Sequence, residues 1–292
     1  MSKYRAKKQF GQNFLHDILY IEKIIEAIPK CDAQMVEIGI GLGDLSKELV
    51  KLGPLVAYEV DRDLCSLFAK NFSPALHNGT FMQYCQSNSY SDIKENSIVL
   101  FNQDVLTIKH TQGWLWKSKY MLVANLPYYI ATHIILRALH DEKCQALVVM
   151  VQKEVADKFC ANVGERAFCA LSVLAQSFGK AELLFDVPKE AFNPSPKVTS
   201  AVFRVSKFTN ETHNGYAMLG ECYFAHFEVF LKNAFATPRK KLTNNLEHLT
   251  NLANLQYIFT ALKISLNARP SDVSTEQYHR IFQQLQGESY AR

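Results

Sequence analysis

Val123-Ala-Asn-Leu-Pro-Tyr-Tyr-Ile130 is an apolar run that meets an amide, turns at a proline and resumes with two aromatic rings. The pattern predicts a buried strand ending at Asn125, then a tight turn, then a helix. Open α/β sheets bind ligands outside the carboxyl ends of their strands. An amide side chain, the backbone carbonyl of Leu126 and the ring of Tyr128 would meet at that edge. These groups suit the exocyclic amine of a nucleobase. Such an amine is a poor nucleophile, because its lone pair is delocalised into the ring. Two carbonyl acceptors, one on the Asn125 side chain and one at Leu126, could engage both hydrogens and hold the lone pair out of conjugation, with Tyr128 stacked on the base. Asn and Pro are also ordinary turn residues, so the rest of the chain must discriminate.

Upstream lies Met35-Val-Glu-Ile-Gly-Ile-Gly-Leu-Gly-Asp44, a short apolar strand running into three alternating glycines and a helix. Glycine lets the backbone turn sharply and approach a ligand, and a strand, glycine turn and helix form a nucleotide-type site. The spacing is not that of dinucleotide folds. With Glu37 beside it, the turn fits the cationic, phosphate-free ligand S-adenosyl-L-methionine better than a pyrophosphate. A second strand, Leu55–Glu59, ends in an acid about 20 residues beyond the glycines, where a carboxylate can accept from ribose hydroxyls. Residues 72–97 are polar, and too long for a simple connection; they read as a surface insertion with a short hairpin. Strand three resumes at Ser97 and brings Asp104 to its end, placed to accept from an adenine amino group. Strands over 120–124, Ala146–Val151 and Ala181–Phe185 alternate with helices, which predicts a parallel, doubly wound α/β sheet.

Before the glycines, Asp17 can cap an amphipathic helix over Ile18, Ile21, Ile24, Ile25 and Ile28. Ahead of it is a basic arm (Lys3, Arg5, Lys7, Lys8) interleaved with Tyr4, Phe10 and Phe14, which would fold over a ligand or clamp RNA. Downstream, Phe192-Asn-Pro-Ser-Pro-Lys-Val-Thr-Ser200 offers an aromatic, a stiff loop and Lys197 near the sheet edge. A base held between Tyr128 and Phe192 would gain about 1–3 kcal/mol per stacking contact. From about residue 207 only helices are expected, at 221–236, 239–248, 251–263 and 275–286, with Arg239-Lys-Lys241 as a basic corner. Two domains follow from this: 1–206, and an α-helical domain over 207–292.

Composition narrows the classes. The chain has 292 residues, 48% apolar and 21% charged, as ordinary globular proteins do. No apolar run approaches the ~18 residues of a membrane span, and the basic N-terminus lacks the apolar segment of a signal peptide. Seven scattered cysteines with no Cys-x-x-Cys pair argue for reduced thiols in the cytoplasm and against a disulfide framework or zinc site. The net charge of +4 permits nucleic-acid binding without requiring it. No metal is expected, and a monomer is.

Seven segments together resemble the ribosomal RNA adenine dimethyltransferase family. They are 10–15 (Phe-Gly-Gln-Asn-Phe-Leu), 36–43, 59–64, 125–130, 152–156, 193–202 and 239–246, in family order over nearly the whole chain. The resemblance implies a class I methyltransferase fold, a Rossmann-like seven-stranded sheet with a reversed last strand, followed by a helical C-terminal domain that binds rRNA. It implies transfer of two methyl groups from S-adenosyl-L-methionine to each of two adjacent adenosines near the 3′ end of 16S rRNA in the small (30S) ribosomal subunit. By position, Asn13, Leu15, Gly39, Gly41, Glu59, Asp104 and Asn125 would contact the cofactor. Asn125, Leu126, Tyr128 and Phe192 would hold the target base, while Lys7, Lys8, Lys197, Arg239, Lys240 and Lys241 would grip RNA phosphates. Ile40 departs from the family's usual Pro. Two alternatives stay open: a 23S rRNA adenine methyltransferase of the macrolide-resistance type, and a mainly non-catalytic small-subunit assembly factor.

Overall fold

The computed structural model describes residues 4–7, 10–72, 81–84, 97–109, 113–208 and 220–289. Among these residues ten strands form: β1 (Phe14–Leu15), β2 (Gln34–Ile38), β3 (Leu55–Glu59), β4 (Phe81–Tyr84), β5 (Ile98–Asn102), β6 (Tyr120–Asn125), β7 (Cys144–Gln152), β8 (Gly179–Val187), β9 (Phe192–Asn193) and β10 (Ser200–Lys207). The helices are α1 (Ile18–Glu26), α2 (Asp44–Leu52), α3 (Arg62–Phe72), α4 (Ala131–His140), α5 (Lys153–Cys160), α6 (Ala170–Phe178), α7 (Gly220–Ala234), α8 (Leu242–Leu246), α9 (Leu252–Ala261) and α10 (Thr275–Ser289).

Eight strands make the main sheet, in the order β4-β5-β3-β2-β6-β7-β10-β8. Parallel pairing runs from β4 to β7, and β10 pairs antiparallel with β7. The seven strands without β4 are the expected sheet with its reversed last strand. The eighth comes from the stretch read as an insertion. Phe81–Tyr84 lies parallel to β5, with Phe81 opposite Ile98, so it extends the sheet edge where a hairpin was expected. Every residue of β3 is buried, as strands covered on both faces require. Strand order reverses at β2, which lies between β3 and β6. The crevice of the fold therefore opens where Ile38 and Asn125 end their strands.

Asp17 caps α1 through a bond from Leu19 N at 3.0 Å, and α1 buries Ile21 and Ile24. Ile18 is left exposed.

Among the described residues the chain forms two compact units, one within 1–156 and 182–207, the other within 157–181 and 208–292. Residues 157–181, assigned above to the first domain, belong to the helical unit, because α6 packs on α7 and α10. The core of that unit is aromatic: Phe227, Phe230, Tyr278 and Phe282 are buried together with His279, whose ring stacks on Phe227 at 4.1 Å between centroids. Helix α8 is shorter than expected. Asn245 Nδ2 donates to the carbonyls of Ala234 (2.7 Å) and Thr237 (3.2 Å), which ties α8 to the end of α7. Arg239, Lys240 and Lys241 stand in the exposed turn between them.

Candidate active site

A cleft of about 1110 Å³, open to solvent, lies at the carboxyl edge of the first unit's sheet. The glycine turn forms one wall. Gly39, Gly41 and Gly43 all have positive φ (78°, 55° and 86°), conformations that side chains resist. A Cβ on Gly39 would meet the Asn125 carbonyl at 3.8 Å and the Pro127 ring at 3.9 Å, so the two turns lie against each other. A Cβ on Gly41 would come within 2.8 Å of the Phe14 ring.

Acids line the floor. Glu59 accepts from Asp61 N at 2.9 Å through one oxygen and from Gly41 N at 3.4 Å through the other. Burial raises its pKa, against the pull of those N–H donors. Glu37 accepts from Ser46 Oγ at 2.6 Å. Burial pushes its carboxyl up to about 8, with nearby Glu59 adding to the rise and Ser46 opposing it. Asp104 is exposed on the rim, and its Oδ1 accepts from Leu106 N at 2.9 Å. Glu37, Asp44, Glu59 and Asp104 line the cleft, and among the described lining residues there is no Lys, Arg or His.

The opening motif forms the opposite wall. Asn125 Nδ2 donates to the Asn13 carbonyl at 3.0 Å, which orients the amide and leaves Oδ1 as an acceptor. Leu126 N is spent on Met150 O at 3.1 Å, fixing the turn whose Leu126 carbonyl follows. Tyr128 lines the cleft half-buried, its hydroxyl 2.6 Å from Ser200 Oγ. Tyr129, which sequence reasoning passed over, also lines the cleft and packs its ring over Gly11. Only its adjacency to Tyr128 could have flagged it.

The N-terminal arm covers this edge. Strand β1 pairs antiparallel with β9, with Phe14 opposite Asn193 and Leu15 opposite Phe192. Asn13 and Leu15 line the cleft beside Phe14. The arm is latched to the start of α3. Lys7 Nζ lies 2.7 Å from Asp61 and 2.6 Å from Asp63, while Tyr4 Oη and Gln12 Nε2 donate to Asp61 Oδ2 at 2.5 and 3.0 Å. Burial alone would raise the Asp61 pKa, but Lys7, Tyr4 and Gln12 together hold it down at about 2. The expected phosphate ligand Lys7 is thus engaged by carboxylates.

Not every expected residue reaches the cleft. Phe192 is 3% exposed and packed in the hydrophobic core. It is not among the residues that line the cleft. In the β1–β9 pairing it lies directly opposite Leu15, and both side chains are buried in the same cluster. Lys197 is exposed outside the cleft lining, Arg239–Lys241 are exposed in the helical unit, and Lys8 lies outside the described residues. Among the described residues no cluster of three His, Cys, Asp or Glu side chains could hold a metal ion.

The donor set fits a cation carrying a nucleoside. Buried acceptors suit ribose hydroxyls and a positive charge.

A family model described as "Ribosomal RNA adenine dimethylase" matches residues 3–287. The chain is 47% identical over 285 residues to a "Ribosomal RNA small subunit methyltransferase A" of Helicobacter hepaticus, covering 98% of this chain and 93% of the relative. It is 43% identical to the protein of that name in Sulfurimonas denitrificans, covering 97% and 94%. Among solved structures, a dimethyladenosine transferase from Plasmodium falciparum aligns with a TM-score of 0.69 at 20% identity, over 94% of this chain and 98% of that one. The 23S rRNA methyltransferase ErmE aligns at 0.67 and 22% identity, over 94% and 100%. These two likenesses carry the fold.

Proposed function

The chain belongs to the ribosomal RNA adenine dimethylase family, and on that premise we propose how its cleft dimethylates adenosines of small-subunit rRNA. It is an S-adenosyl-L-methionine-dependent rRNA adenine dimethyltransferase. The observation that carries the site assignment is the cleft lining, four acids and no cation among its described residues, next to an amide oriented by its bond to the Asn13 carbonyl.

Bound S-adenosyl-L-methionine supplies an electrophilic methyl group on a cationic sulfur. Glu59 would hold the ribose, Asp104 the adenine amine, and the glycine turn with Asn13 and Leu15 the remainder. Asn125 Oδ1 and the Leu126 carbonyl accept the two hydrogens of the target N6, pulling its lone pair out of the ring and aiming it into the cleft. Tyr128 stacks on the flipped base, and its hydroxyl bond to Ser200 stops the ring from turning. The departing proton is held at Asn125 Oδ1 before it reaches solvent. No dedicated base is needed; catalysis rests on proximity and orientation, and flipping costs little in an RNA loop. Phe192, paired opposite Leu15, would take the other face of the base if its ring turns toward the cleft.

The substrate we propose is a pair of adjacent adenosines near the 3′ end of 16S rRNA, in the 30S subunit in the cytoplasm. The names of the relatives, small-subunit methyltransferases, support this. Arg239, Lys240, Lys241, Lys197 and Lys8 would grip phosphates. A monomer is the acting state we propose. The test is methyl transfer from labelled cofactor to small subunits lacking the modification, beside Asn125→Ala. Incorporation approaching four methyls per particle, lost in the variant, is expected. Binding without transfer would favour an assembly factor.

A further inference from the structure

The loop carrying Asp104 is gripped from behind by a residue that does not line the cleft. Arg137, on α4, donates Nη1 to the carbonyls of Val105 (3.3 Å) and Leu106 (3.1 Å) and Nη2 to that of Ile108. Its guanidinium lies over the Trp114 ring, 4.7 Å from the centroid. Trp114 Nε1 donates to the same Val105 carbonyl at 3.0 Å. Asp141, at the end of α4, accepts from Trp114 N and from Tyr120 Oη, both at 2.7 Å, which anchors the indole. Leu106 is the link to the cleft: its N–H holds Asp104 Oδ1 while its carbonyl is held by Arg137.

We propose that Arg137 is a positioning residue for the cofactor, fixing the Asp104 carboxylate by clamping three carbonyls of the loop that carries it. A planar guanidinium can serve several diverging carbonyls at once, and an ammonium cannot reproduce that fork. Helix α4 begins directly after the catalytic turn, at Ala131. One rigid helix thus sets the spacing between the turn that holds the target base and the loop that holds the cofactor's adenine. This inference rests on the assignment of Asp104 to the adenine amine.

The test uses the full chain and measures S-adenosyl-L-methionine binding by calorimetry, and methyl transfer to small subunits, for Arg137→Gln, Arg137→Lys and Asp104→Asn. Both Arg137 variants should bind cofactor about tenfold more weakly and show a matching rise in its KM. Their kcat at saturating cofactor, and their KM for the particle, should be unchanged. Arg137→Gln added to Asp104→Asn should cost nothing further, because the two act as one unit. Normal binding by the Arg137 variants beside weakened Asp104→Asn would overturn the proposal alone. So would full additivity in the double variant, which would mark a general structural role. Normal binding by Asp104→Asn would overturn the Asp104 assignment, and the proposal with it.

Discussion

At the scale of single residues, the assignment of Asn125 depends on which way its amide faces. With Nδ2 committed to Asn13 O, Asn125→Asp removes the donor that ties the turn to the arm and adds another acid to a cleft already lined by Glu37 and Glu59. Its kcat should fall by at least about a hundredfold, as when an aligned polar group is lost from an active site, with the melting temperature little changed. Gly41 carries a second prediction. Gly41→Ala puts a methyl 2.8 Å from Phe14 on backbone with φ of 55°, a strain of about 1–3 kcal/mol. Cofactor affinity should drop about tenfold or more in a binding titration. Phe192 separates two roles. As a core residue it should tolerate Phe192→Leu with near-normal transfer, while Phe192→Ala should cost about 3–5 kcal/mol in denaturant unfolding. Loss of activity with unchanged stability in the leucine variant would mark the stacking role. Spacing could suggest an aromatic near the edge, but not that its strand pairs with Phe14–Leu15 and that its ring is buried in one cluster with Leu15.

At the scale of elements, β3 formed over the residues its apolar run marked, because a strand buried on both faces has an unbroken signature. Strand β4 escaped detection because it is short and sits amid polar sequence, and it earns its place only by pairing with β5. The arm was legible as basic and aromatic, but its latch was not, since Lys7 and Asp61 are far apart in the chain. The latch predicts a proteolytic phenotype. Asp61→Asn leaves Tyr4, Lys7 and Gln12 without their shared carboxylate, so trypsin should cut after Lys7 faster than in the parent, and bound cofactor should slow the cut in both. Asp61 titrates at about 2, below its ordinary value of 3.8. The anchoring is therefore fully present above about pH 4 and is lost only as pH falls through 2; the cleavage rate, corrected for trypsin's own pH dependence, should be flat near neutrality.

At the scale of the whole molecule, the helical unit carries a pH response of its own. His279 is fully buried, its Nε2 2.8 Å from Ser177 Oγ and its Nδ1 2.8 Å from Tyr223 Oη. Burial lowers its pKa from 6.5 to about 3. The unfolded chain therefore binds a proton that the folded unit refuses. Stability from this site is complete above pH 6.5 and drains away as pH falls toward 3. The urea midpoint should drop between pH 7.5 and 5.5, and His279→Gln, which can keep both bonds without titrating, should flatten that drop. The sequence showed that the chain ends in helices. It did not show that residues 157–181 join them, because that grouping follows from packing among α6, α7 and α10 and not from any break in composition. The pairing of β1 with β9 bears on how the enzyme is made. A chain emerging from the ribosome has its first cleft-lining residues early, but Leu15 gains its partner only when Phe192 arrives, and the sheet waits longer still for β10. Domains complete themselves as units during synthesis, so a nascent chain truncated before Phe192 cannot close its arm. The machine that translates this protein must carry synthesis well past its middle before the product can modify another ribosome.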